Sequence, residues 1–283
     1  MSHPLFSILI ANYNNGHFFK DCYDSLIAQT YQNFEVVILD DCSTDNSVEV
    51  IKSIIGEDKR FKLFQNEENK KVGYTKRRLV ELASSEICGF LDPDDALEPQ
   101  TLESILNHHN NNIEVGLVYS NFIICNEKLE KQNVHHATQI TALDEHYLNF
   151  KGEISHFATF KKSIYNKTTG IDTFLKIAED KDWYMKMCEV APVLYIDEDL
   201  YLYRIHNGGI STNKNAEKAY FWHWVALIKM AERRNVNIEE LFIDNFVNRR
   251  DYDNISTKLE LLKKSRLLKL LYKLGLFKGY KYL

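Results

Sequence analysis

The chain has 283 residues, 45% hydrophobic and 27% charged, a balance that excludes disordered, collagen-like and low-complexity classes and leaves ample interior for a core. Its 35 basic and 40 acidic residues give a net charge of −5, which excludes a uniformly basic surface, so no nucleic-acid partner is expected. Five scattered cysteines, odd in number and without a CxxC pair, signal neither a disulfide framework nor a zinc site and predict a reducing, cytoplasmic setting.

The first apolar run, 5–11, follows no basic residue and leads into Asn12-Tyr13-Asn14-Asn15, so it reads as a buried strand and not as a leader peptide. Further strands are predicted over 34–40, 61–65 and 87–92, with helices over 18–29, 47–55 and 74–83 between them. This alternation is that of parallel βαβ units, and in such sheets ligands bind outside the carboxyl ends of the strands. A helix near 99–108 and a strand over 115–125 follow, then a polar excursion through His135 and His136. Beyond it the pattern predicts an apolar stretch at 157–160, a helix over 180–190 and two short strands, 193–196 and 200–205. From about residue 215 the chain reads as helical, with segments 221–234, 238–249 and 256–273. The expected organisation is an α/β domain over 1–212, divided at 98/99 into two halves, and a helical C-terminal extension over 213–283. No run of 18 apolar residues predicts a membrane-spanning helix.

Three carboxylates close the fourth strand in Leu91-Asp92-Pro93-Asp94-Asp95. Clustered carboxylates repel one another, so such a cluster points to a cation, and oxygen ligands suit Mg²⁺ or Mn²⁺ bridging to substrate phosphates. A turn that caps the next helix is the alternative reading. At the end of the second strand, Asp40-Asp41-Cys42-Ser43-Thr44-Asp45 offers carboxylates to a base N–H or to ribose hydroxyls. Tyr13, after the first strand, offers an aromatic face to a planar base, or is an ordinary half-buried aromatic.

These motifs, with Ser7-Ile8-Leu9-Ile10-Ala11-Asn12-Tyr13-Asn14 and Ser25-Leu26-Ile27-Ala28-Gln29-Thr30-Tyr31, resemble the nucleotide-binding half of family 2 glycosyltransferases, inverting enzymes of the GT-A fold. The resemblance implies a mixed sheet flanked by helices, and a transferase moving one sugar from a UDP- or dTDP-sugar to a glycan or lipid-linked glycan. It implies that Ala11, Tyr13, Asp41, Lys76 and Asp94 bind the nucleotide, and that Asp94, Asp95 and His206 hold Mn²⁺ or Mg²⁺, with Asp92 supporting them. His206 enters through Tyr201-Leu202-Tyr203-Arg204-Ile205-His206-Asn207-Gly208-Gly209-Ile210-Ser211, which is similar to a late Tyr-Arg-x-His segment of the family. Arg204 either neutralises the diphosphate or pairs with a structural carboxylate. Lys76 lies where the family has a basic residue after a glycine turn, here Gly73, but Lys76-Arg77 departs from the usual Arg-Asn, so an exposed helical lysine is the alternative. Inverting transfer needs a general base. Ala178-Glu179-Asp180-Lys181-Asp182-Trp183 resembles the family's Glu-Asp motif, which assigns the base to Asp180, with Asp182 as rival and Glu179 beside it. His156 falls near the acceptor. No Gln-x-x-Arg-Trp stretch, typical of processive members, occurs, which favours single addition. The alternatives are a nucleotidyltransferase and a catalytically silent sugar-nucleotide-binding protein of the same fold.

The charge is unevenly spread. Residues 256–283 hold eight basic residues against the single acid Glu260, a local charge of +7, so the other 255 residues carry −12. Leucines interleave with those bases, the pattern of a helix lying on an anionic membrane surface. Such contact would be peripheral, at the inner face of the cytoplasmic membrane. The rival expectation is a leucine face packed on the catalytic domain.

Overall fold

The computed structural model describes residues 6–140, 153–209 and 215–282; Leu5, Ile210 and Ser211, named above, lie outside them. Four parallel strands open the chain: β1 (Phe6–Asn12), β2 (Phe34–Asp40), β3 (Phe61–Gln65) and β4 (Ile87–Phe90). Helices α1 (Phe19–Ile27), α2 (Ser47–Ile55) and α3 (Lys71–Leu82) connect them in the spatial order β3-β2-β1-β4. The chain winds outward from β1 to β3, then returns to the far side of β1, which puts a topological switch point at the carboxyl ends of β1 and β4. β1 and β2 are apolar on both faces because both are covered: Ile8, Ile10, Val36 and Ile38 pack into one core and Leu9, Val37 and Leu39 into the other.

The second half closes the sheet with mixed pairing. It contains β5 (Ala96–Leu97), α4 (Thr101–Asn111), β6 (Leu117–Cys125), β7 (Lys131–His135), β8 (Thr159–Lys161), α5 (Lys162–Tyr165), α6 (Glu179–Cys188) and β9 (Val193–Arg204). From β4 the order runs β8-β6-β9-β5, with β7 on β6. β5 and α5 have no counterpart in the expected pattern, and two further elements differ from it. The polar excursion is β7, an edge strand exposed along most of its length, whose charge and polarity on both faces conceal any period-two signal. The two short strands expected after residue 193 are one strand. β9 passes through a register shift opposite Tyr119 and Asn121, where the Asn121 amide donates to Asp197 and Asp199 at 2.9 and 3.1 Å.

The chain divides into two compact units, Met1–Arg234 and Asn235–Leu283. Helix α7 (Ala216–Arg234) therefore groups with the first, whereas the expected extension began at 213. The second unit contains α8 (Glu239–Phe242), a π-helical turn (Ile243–Val247), α9 (Asn248–Lys264) and α10 (Arg266–Lys273).

One buried histidine ties stability to pH. The Thr159 hydroxyl donates to Val118 O at 3.2 Å, so it accepts from His109 Nε2–H, 3.0 Å away, which leaves the buried Nδ1 unprotonated and without a hydrogen-bond partner. Burial, with Lys161 and His108 adding to it, lowers the His109 pKa from 6.5 to about 3. The unfolded chain binds this proton more tightly, so the stability is complete above pH 6.5 and declines as pH falls toward 3. Urea unfolding at pH 7, 6 and 5 is expected to show a loss of roughly 1 kcal/mol per pH unit below 6.5. His109→Gln, which keeps the donor to Thr159, should flatten that slope.

Candidate active site

The carboxyl ends of β1 and β2 are bonded to each other. Buried Asn12 donates through Nδ2 to Asp40 Oδ2 at 3.0 Å, and the Asp41 N–H donates to Asn12 O at 2.8 Å. Beyond them Ala11 is half-buried and Tyr13 is 46% exposed at the switch point. Asp41 is buried, and its carboxylate accepts from Asn66 Nδ2 and from the backbone N–H groups of Lys70 and Lys71, each at 2.8 Å. The two backbone donors belong to the start of α3, where a carboxylate complements the helix dipole. Of about four acceptor positions on a carboxylate, three are filled by the chain itself and about one is left for a ligand. A cleft of about 470 Å³, lined by Gln65, Asn66, Glu67, Glu68, Lys70 and Tyr74, opens beside it.

The carboxylates after β4 divide by direction. Asp95 turns inward: it is 1% exposed, its Oδ2 accepts from Tyr201 O–H at 2.6 Å, and its Oδ1 accepts from the Arg204 N–H at 2.7 Å. Asp94 meets His206 instead, Oδ2 to Nε2 at 2.8 Å. Asp92 is the more exposed of the three, and its N–H donates to Tyr201 Oη at 3.3 Å. Burial, and then the neighbouring carboxylates, push Asp95 well above the usual carboxylate range and raise Asp94 as well, with His206 opposing the shift at Asp94. A cluster with this much mutual repulsion is suited to a cation.

Arg204 is committed to the fold. Nε donates to Asp94 O at 2.6 Å, Nη1 to Glu127 O at 2.7 Å and Nη2 to Asp21 Oδ2 at 2.8 Å, while the guanidinium lies over the Phe18 ring at 4.6 Å. Of the two readings open for Arg204, the structural carboxylate is the one observed. Asp95, expected as a metal ligand, is anchored to β9 by one hydrogen bond on each oxygen, whereas Asp94 is the carboxylate that meets His206.

Opposite this loop stands the start of α6, which follows Ala178 in a left-handed conformation at φ 60°. Glu179 is 5% exposed and pairs with Lys76 Nζ at 2.8 Å; Lys76 also approaches Asp92 at 3.9 Å. The Lys76 side chain is only 12% exposed, so the exposed-lysine alternative does not hold. Gly73, one turn earlier on α3, makes this approach possible, because a Cβ there would stand 2.6 Å from the carbonyl oxygens of Asp172 and Leu175. Asp180 is half-buried, and its Oδ1 accepts from the Lys181 N–H at 2.8 Å. Asp182, the rival base, is 1% exposed and ion-paired with Lys186 at 2.7 Å and Arg233 at 2.9 Å, which commits it to the packing of α6 against α7. His156 stacks on Tyr201 and Tyr203, with ring centroids 4.8 and 5.6 Å apart.

The structure therefore brings Lys76 to Glu179 and Asp92, and His206 to Asp94, so that both groups meet the loop after β4, with Asp180 next to Glu179. Sequence reasoning missed the supports. Tyr201, which bridges Asp92 and Asp95, stood in the quoted Tyr-Leu-Tyr-Arg run, where alternation along a strand turns it inward; Asp21, the partner of Arg204, carried no signal at all.

Among the described residues, no group of three or more His, Cys, Asp or Glu side chains is arranged to hold a metal ion. Asp94 and His206 nevertheless offer an oxygen and a nitrogen at one point. Mg²⁺-type sites commonly use one or two carboxylates and take their remaining ligands from phosphates and water, so this pair fits such an ion.

Residues 7–169 match the profile of glycosyl transferase family 2. The chain belongs to this family. Among its family 2 relatives, chondroitin synthase of Escherichia coli is 28% identical over 213 residues, 75% of this chain and 30% of that protein. The putative glycosyltransferase EpsH of Bacillus subtilis is 30% identical over 222 residues, 74% of this chain and 63% of that protein. The chain thus spans under a third of the bacterial chondroitin synthases it matches. In fold it resembles S. aureus TarS 1–349 in complex with UDP-GlcNAc (TM-score 0.63, 20% identity, 86% of this chain and 72% of that one). It also resembles the Pyrobaculum calidifontis mannosyltransferase PcManGT in complex with GDP-Man and Mn²⁺ (TM-score 0.65, 16% identity, 100% and 83%). The mixed sheet with flanking helices is the GT-A architecture.

Proposed function

We propose that this family 2 member transfers a single sugar from a nucleotide diphosphate sugar to a hydroxyl of a glycan or lipid-linked glycan, with inversion at the anomeric carbon. The carrying observation is the Lys76–Glu179 contact, which sets the base helix beside the carboxylate loop at the switch point. Tyr13 stacks on the nucleobase, and the remaining acceptor position of Asp41 takes the N–H of a uracil or thymine, so a UDP- or dTDP-sugar is the favoured donor. Asp94 and His206 would hold Mn²⁺ or Mg²⁺, which would supply positive charge to offset that of a departing diphosphate. Asp180 accepts the proton of the acceptor hydroxyl as its oxygen bonds to the anomeric carbon and the bond to the diphosphate breaks. The proton ends on the Asp180 carboxyl, and no covalent enzyme intermediate forms. Incubation with UDP-, dTDP- and GDP-sugars plus Mn²⁺, with the anomeric configuration of the product read by NMR, tests this. Nucleotide binding without turnover of any donor would refute it and indicate a silent binding protein.

The C-terminal unit supports a membrane-proximal setting. Leu267 and Leu270 of α10 and Leu274 at its C-terminal cap lie on one helical face and are 64, 53 and 62% exposed, while Lys269 and Lys273 lie on the other. An exposed apolar stripe with flanking bases matches the surface of an anionic bilayer, where each base near the surface adds about 1 kcal/mol. We expect flotation with vesicles containing phosphatidylglycerol, lost when these three leucines are replaced by Asn. Equal flotation of the variant would count against peripheral contact through this helix.

A further inference from the structure

Lys76 is expected at the diphosphate by resemblance, yet its surroundings describe a different task. Its ammonium is buried between two carboxylates from separate motifs, Glu179 at 2.8 Å and Asp92 at 3.9 Å, and lies 5.5 Å from the Phe90 ring centroid. Burial opposes its charge, but Glu179, Asp92 and Asp180 overcome that penalty and raise its pKa above the ordinary lysine value. A charge held this deeply is tied to its partners, because separating them leaves an uncompensated buried ion. What it ties is the first turn of α6. That turn begins after a left-handed alanine, a conformation that persists only where the surroundings impose it. Glu179 is the residue before Asp180, so the position of the proposed base depends on where Lys76 holds Glu179.

We propose that Lys76 is a positioning residue for the base: its buried ammonium fastens the start of α6 to the carboxylate loop through Glu179 and Asp92, and keeps Asp180 oriented. The inference rests on the transferase reading and assigns Lys76 a task within it.

The charged and titratable groups within electrostatic reach of Asp180 are Lys76 from α3, Glu179, Lys181 and Tyr184 from α6, His156 before β8, Tyr203 from β9 and His223 from α7. Burial lowers the pKa of both histidines, so they are neutral near pH 7, which leaves Lys76 and Lys181 as the cations. Lys76 also reaches the carboxylate loop, at Asp92.

The test is the pH profile of kcat together with nucleotide affinity, measured by calorimetry with UDP and with GDP, each plus Mn²⁺. In Lys76→Met the acid limb is expected to move up, because a cation near the base is lost. In Glu179→Gln it moves down, because an anion is lost, and Lys76→Arg restores the wild-type limb. Nucleotide affinity in Lys76→Met stays within about threefold of wild type, since the lost contacts are with carboxylates of the chain. Lys76→Met/Glu179→Gln, which buries no uncompensated charge, covers the case in which the single variant fails to fold. Its limb is expected near the wild-type position, with kcat about tenfold lower because the tether is gone. Full kcat in this double variant overturns the proposal. So does an unmoved limb in Lys76→Met with a tenfold loss of nucleotide affinity, the result expected of a diphosphate contact. Asp180→Asn separates the two levels: if it retains transfer, the transferase mechanism and this proposal fall together. If it is inactive while the Lys76→Met limb is unmoved, only this proposal falls.

Discussion

Replacing Asp180 by Asn is expected to lower the turnover of sugar transfer about 10³-fold while nucleotide-sugar affinity stays within about threefold. The amide keeps the size of the side chain, and its oxygen still accepts from the Lys181 N–H, so the first turn of α6 retains its bond. What it lacks is a site for the acceptor proton, and without a base the hydroxyl must lose that proton to water as it attacks. The acceptor is the more weakly activated partner, so the loss falls on kcat and not on the affinity for the donor. Asp182→Asn is the control. Its carboxylate is locked between Lys186 and Arg233, and removing the charge leaves the buried Lys186 ammonium without its carboxylate, while Arg233 keeps Glu189 at 2.9 Å. That variant should lose stability, seen as an earlier urea midpoint, and keep most of its turnover per folded molecule. Equal loss of turnover in the two variants would remove the distinction between base and structural acid.

The contrast between these neighbouring carboxylates marks where sequence reading stopped. The strands β2 and β3 follow the expected bounds because both are rich in bulky apolar residues and end on a polar one, a signal contained in the strand itself. Asp180 and Asp182 have the same chemistry in the same helical turn, and what tells them apart is Lys186 one turn on from Asp182 together with the approach of Arg233 on α7. The same holds for Asp94 and Asp95. Adjacent residues in a turn point in different directions, and which one faces His206 depends on how β9 returns past the loop. Arg204 and Asp21 are 183 residues apart in sequence, so no spacing pattern joins them. The motif positions were legible because their residue types are unusual at strand ends, whereas their partners were not, because pairing is a tertiary property.

Asp94→Ala should weaken Mn²⁺ binding in the presence of nucleotide at least tenfold and lower kcat/KM by about 10²- to 10³-fold, read by calorimetry and by a metal titration of activity. The ion proposed for this site has two protein donors, Asp94 and His206, so losing either leaves one, and the remaining ligands would have to come from diphosphate and water. His206→Ala is expected to fall in the same direction by a smaller factor, since a neutral imidazole contributes less to holding a dication than a carboxylate does. Asp95→Asn separates ligation from support. Whichever way its amide turns, the NH₂ must face either the Tyr201 hydroxyl or the Arg204 N–H, both of which donate to Asp95. A buried donor is then left without an acceptor, at a cost of about 1–3 kcal/mol of stability. Mn²⁺ affinity in the folded Asp95→Asn protein should remain within about threefold of wild type. If Asp95→Asn instead abolished metal binding while Asp94→Ala preserved it, the inward direction of Asp95 would no longer describe the working site, and the ion would have to be placed against β9.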